Sequence, residues 1–102
     1  MATPTAVAQN EVTAAGGTGT GTTLDTNLAS RQMVIVYNNG PEVLTVVLST
    51  GAAPAVTPGV GVNIAPNGGS EVFWAGPGIR LYGRAQATLQ VSGAATVCAE
   101  FA

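Results

Sequence analysis

The sequence predicts an all-β domain: a small antiparallel β-sandwich, jelly-roll-like or closed into a small barrel, with an extended N-terminal arm. Three observations predict it. Short runs rich in Val, Ile, Thr, Tyr and Phe recur along most of the chain. Dense turn chemistry separates them, and no segment requires a helix. At 102 residues the chain is long enough for one core and too short for two. It divides into an Ala/Thr/Gly-rich arm over residues 1–23 and a β-sandwich domain over 24–102.

Within the arm, Ala6, Ala8 and Val12, flanked by Thr5 and Thr13, predict an extended piece over 6–13. Such a piece adds to a sheet edge, either in its own chain or in a neighbour's. Gly17-Thr18-Gly19-Thr20-Gly21 has the glycine density of a phosphate loop. It lacks the lysine and the following helix that would converge backbone amides on an anion, so it reads as a flexible joint. From Gln32 onward, strands are predicted over 32–38, 43–49, 60–64, 70–75, 79–84, 88–91 and 95–101. Asn38-Asn39-Gly40-Pro41, Ala65-Pro66-Asn67-Gly68-Gly69 and Gly76-Pro77-Gly78 supply the tight turns between them. Val34-Ile35-Val36 is apolar on both faces and suits a central strand, whereas Ile79 and Leu81 alternate with Arg80, Tyr82 and Arg84 as in a strand with one wet face.

Charged residues make up 8% of the chain and hydrophobic ones 46%, so much of the surface has to be neutral and prone to association. Three arginines, no lysine and a net charge of −2 argue against a nucleic-acid partner, whose phosphates need several cations. No run of about 18 apolar residues predicts a membrane span, and the first residues have neither the basic nor the apolar region of a secretion signal.

Chemistry-bearing residues are sparse. There is no histidine, which removes the commonest general base and the usual zinc ligand. Glu11, Asp25, Glu42, Glu71 and Glu100 fall in separate elements, so two of them pair only if folding brings them together. Cys98 is a lone cysteine in the last strand and reads as a small packed residue. No catalytic residue, cofactor site or metal site is predicted. Two groups read instead as contact surfaces. Arg80, Tyr82 and Arg84 share one face of a strand and are placed to grip carboxylates on a partner. Phe73 and Trp74 are adjacent and must point to opposite faces, so one fills the core and the other is free to anchor an interface. Together with Ala6, Ala8 and Val12, the residues Trp74, Arg80, Tyr82 and Arg84 are the predicted assembly contacts.

The order Asn27-Leu28-Ala29-Ser30-Arg31, Met33-Val34-Ile35-Val36-Tyr37-Asn38-Asn39, Ile64-Ala65-Pro66-Asn67-Gly68, Ile79-Arg80-Leu81-Tyr82-Gly83 and a closing Ala95 to Glu100 resembles small virion structural proteins of tailed bacteriophages. The resemblance covers about the last four-fifths of the chain, and Pro66-Asn67-Gly68 stands where those proteins have a simpler Pro-Gly turn. It implies a capsid decoration or cement protein made in the host cytoplasm and placed on the capsid surface. Its implied partners are the major capsid protein and further copies of itself, a trimer being favoured. The alternative it implies is a head-fibre or tail-fibre module that binds a receptor or carbohydrate, for which Tyr37, Trp74 and Tyr82 would have to converge. Arg31 would then stand before the first core strand, in a structural ion pair or turn contact.

Overall fold

A computed structural model describes residues 3–12, 17–85 and 94–102. The strands are β1 (Ala6–Val12), β2 (Gly19–Thr20), β3 (Thr22–Thr23), β4 (Met33–Asn38), β5 (Leu44–Ser49), β6 (Ala55–Val56), β7 (Val62–Ile64), β8 (Gly69–Phe73), β9 (Arg80–Ala85) and β10 (Ala94–Phe101). The described residues contain no helix. One four-stranded sheet runs β1-β10-β4-β8 and a second runs β3-β9-β5-β7, with every pairing antiparallel. A short β2-β6 pair lies apart from both. The strand predicted over 88–91 lies outside the described residues.

The alternation of each strand decides what is buried. In the first sheet the inward set includes Val12, Val34, Val36, Phe73 and Cys98, and in the second Leu44, Val46, Ile64, Leu81 and Ala85. With Leu24 and Ala75 these form one core cluster shared by the two sheets. Val34-Ile35-Val36 does lie in a central strand, since β4 is flanked by β10 and β8.

The predicted extended piece at 6–13 is β1, and it pairs with β10 of its own chain along its whole length, from Ala6 opposite Glu100 to Val12 opposite Ala94. The segment that holds Ala6, Ala8 and Val12 is thus an edge strand of its own chain's sheet. Val12 is fully buried and Ala8 packs against the core, while Val7 is exposed, as strand alternation dictates.

Two further expectations give way. The face of β9 that carries Arg80, Tyr82 and Arg84 is only partly wet, because chain segments around β2 and β6 fold over Tyr82 while the Arg80 side chain stays 29% exposed. Tyr82 is 5% exposed and donates its hydroxyl to the Gly51 carbonyl at 3.0 Å. The Gly17–Gly21 run is not a joint but the piece that covers this face. A β-carbon at Gly19 would stand 2.6 Å from the Arg84 guanidinium carbon, and one at Gly21 would stand 2.8 Å from the Tyr82 β-carbon. At Gly19 the movable end of Arg84 can yield, but Gly21 is required by close approach to the Tyr82 β-carbon and Val56, a demand that composition alone does not distinguish from flexibility.

Turn chemistry fixes the crossings between sheets. Buried Asn38 ends β4, accepts from the Gly40 amide at 3.1 Å and donates to the carbonyls of Glu42 and Ile64 at 2.7 and 3.2 Å. It thus ties the start of the crossing from β4 to β5 to the end of β7. Between β7 and β8, Asn67 and Gly68 take φ of 59° and 103°, the left-handed conformations that Asn and Gly tolerate. The next residue, Gly69, leaves no room, since a β-carbon there would lie 2.3 Å from the Ala65 carbonyl oxygen. Gly69→Ala is expected to destabilise the fold by about 1–3 kcal/mol, read as a lower urea midpoint at an unchanged slope.

Candidate interaction face

The outward side chains of the first sheet form registered rows. Val7, Ala99, Ile35 and Val72 stand side by side across β1, β10, β4 and β8. Gln9, Val97, Tyr37 and Ser70 form the next row, and Phe101 and Met33 pair at the other end. No described side chain in these rows carries a charge. Glu11 stands opposite Ala95 in the register at the sheet's end.

Loops of the same chain cover the outer side of the second sheet, whereas this face stays open. Val7 is 52% exposed, Val72 44% and Tyr37 37%. Small Ala99, flanked by Val7 and Ile35, leaves a concavity along β10. A groove of about 390 Å³ lies there, bordered by Pro4 and Val7 on the β1 side and by Met33 and Tyr37 on β4. Across the face, just past β8, Phe73 turns into the core and Trp74 turns outward, 80% exposed. This settles which of the two adjacent aromatics is free. The rows of β4 and β10 were hard to recognise as a face before folding, because apolar residues on both sides of a strand signal only a central position.

The cations predicted to grip a partner are engaged within the chain. Arg80 Nε donates to Asp25 Oδ1 and Oδ2 at 3.1 and 3.0 Å, and Arg84 Nε donates to the Gly17 carbonyl at 2.8 Å. Tyr82 lies on the second sheet, away from Tyr37 and Trp74.

Folding does bring two carboxylates together, at one end of the sheets. Arg31, Asp25 and Glu100 have fully buried side chains. Arg31 Nη1 reaches Asp25 Oδ2 at 2.5 Å and Glu100 Oε1 at 2.7 Å. Its Nε donates to the carbonyls of Ala75 and Gly76, both at 3.2 Å, and its Nη2 donates to that of Ile79. Glu100 also accepts from the Leu28 amide at 3.0 Å, from the Thr26 amide at 2.9 Å and from the Thr26 hydroxyl. Every carboxylate oxygen of the pair is thus occupied by the chain's own donors, which leaves no lone pair directed at a substrate. The cluster pins the 24–32 and 75–79 loops to the end of β10 and is structural in character.

Burial alone would raise the Glu100 pKa, but the hydrogen bonds from Thr26, Leu28 and Arg31 outweigh it and hold the carboxyl below its usual 4.5. Burial would likewise lower that of Arg31, and its bonds to Asp25 and Glu100 outweigh it in turn and raise it. With the folded Glu100 pKa below the unfolded one, its stabilisation is complete above about pH 4.5 and is lost as pH falls through the folded value. The urea midpoint is therefore expected to stay level from pH 7 to 5 and to drop below 4.5. Glu100→Gln should lower the neutral plateau and flatten that acid limb.

Cys98 sits in the core between Ala8 and Val36, and burial, with the negative charges of Glu100 and Asp25, pushes its thiol up to about 12. It carries no thiolate at neutral pH. Among the described residues no three Cys, Asp or Glu side chains gather in a way that could hold a metal ion. No protein-family model, curated protein or solved structure matches this chain.

Proposed function

We propose that this is a structural virion protein that binds the outside of a bacteriophage capsid and stabilises it as a decoration or cement protein, its two sheets forming a jelly-roll-like β-sandwich. The observation that carries the reading is the apolar face of β1-β10-β4-β8, whose described rows carry no charge and are exposed beside a second sheet that described loops of the chain cover. Extended apolar faces on small domains mark association rather than solvent contact. A protein of this kind works by mass action: binding only the assembled shell, it raises the free energy needed to open that shell. Its partners are the major capsid protein and further copies of the chain. The alternative, a fibre module with an aromatic platform for a glycan, draws less support, since Tyr82 is buried on the other sheet and leaves only Tyr37 and Trp74 on a common face.

The test is the protein inventory of gradient-purified particles. The chain is expected in fixed stoichiometry with the major capsid protein, and particles stripped of it should rupture at lower temperature. Its absence from particles, with the chain found only in the soluble fraction, would overturn the proposal.

A further inference from the structure

We infer that the open face of β1-β10-β4-β8 is the contact between two copies of this chain, paired face to face about a twofold axis that runs along the strands. The inference rests on reading this face as a contact surface and names what occupies it.

Three features of the face favour a second copy. First, the described side chains of its two rows carry no charge, so stacking these rows on their own copies opposes no like charges among them. Second, the exposed fractions of Val7, Tyr37, Val72 and Trp74, with the partly exposed residues beside them, leave on the order of 600 Å² of mostly apolar surface. That is the upper end of what monomers usually expose, roughly 300–600 Å², and is close to the roughly 800 Å² per partner of a standard interface. The polar rim residues Gln9 and Ser70 add to it.

Third, the face is self-complementary in shape. Its protrusion, Trp74, stands on the β8 side, and its groove lies between β1 and β4. A twofold axis parallel to the strands sets β8 of each copy over β1 of the other, so each indole meets the other's groove. Residue i then contacts j while j contacts i, as an isologous interface requires. The groove, at about 390 Å³, has room for an indole. Two sheets stacked about 10 Å apart repeat the layer packing found within protein cores.

The chain has a single tryptophan, so its fluorescence reports on this contact alone. Sedimentation of the full chain is expected to give twice the monomer mass of 10.0 kDa, with Trp74 emission shifting to the blue over the same concentration range. Trp74→Glu and, from the groove side, Val7→Glu should each weaken pairing by about 30-fold or more. Both positions are exposed, so circular dichroism and the urea midpoint of the dilute monomer should match those of the unaltered chain. A chain that stays monomeric at high concentration would overturn the inference, as would an odd-numbered oligomer or a dimer whose Trp74 emission remains that of an exposed indole. Particle composition is read separately. A monomeric chain found in capsids sinks only this pairing, and a dimer absent from capsids sinks only the virion assignment.

Discussion

Arg31→Met is expected to cost about 3–5 kcal/mol of folding stability, the range for breaking a buried ion pair by removing one partner. The guanidinium is the only cation that touches both Asp25 and Glu100 among the described contacts, and all three side chains are shut off from solvent. Without it, two carboxylates face each other in the interior, and the carbonyls of Ala75, Gly76 and Ile79 lose their donor. For a domain of this size the total is about 5–15 kcal/mol, so the loss is a large share of it. Arg31→Lys keeps the charge but not the planar fork, and should fall between the two. Adding Glu100→Gln to Arg31→Met should recover part of the loss, because the desolvated negative charge goes with it. Urea unfolding at pH 7 reads all three; a loss under 1 kcal/mol for Arg31→Met would mean that desolvation of the cluster cancels its bonds.

The second large effect separates two neighbours. Phe73→Ala should cost about 3–5 kcal/mol, the range for emptying an aromatic site in a core, since Phe73 is 7% exposed and packs with Val34 and Ala75 in the central cluster. Trp74→Ala, one residue on, should change the stability of the dilute monomer by no more than about 0.5 kcal/mol. Thermal or urea unfolding at low protein concentration distinguishes them, and similar losses at both positions would contradict the placement of Trp74.

The strands were legible because the period-2 alternation and the turn residues are local. β4, predicted over 32–38, spans Met33–Asn38, and β9, predicted over 79–84, spans Arg80–Ala85. What local pattern cannot reveal is which sheet a strand joins. The alternation of Arg80, Tyr82 and Arg84 marks a face of its own but predicts it wet, because its covering comes from Gly17–Gly21 and the loop near Val56, far away in sequence. The two-residue strands β2, β3 and β6 exist only through such pairings and have no signal of their own. The buried cluster is legible only in part: the resemblance implies an ion pair or turn contact for Arg31, but Asp25 and Glu100 read as ordinary surface residues until Glu100, at the end of β10, is placed beside the 24–32 loop. The open face became visible only once β10 was known to lie between β1 and β4.

That central place of β10 also sets the timing of folding. Residues 94–101 insert between strands made from residues 6–12 and 33–38, and no two neighbours in this sheet are consecutive in the chain. Until residues 94–101 are in place, β1 has nothing to pair with and β4 lacks one side. Such non-local pairing places folding in the slow class of milliseconds to seconds. During that interval the unpaired edges of β1 and β4 and the apolar rows are open to other chains. A chain in which β10 has not yet docked is the form most prone to aggregate, because both of its partner strands then present open edges.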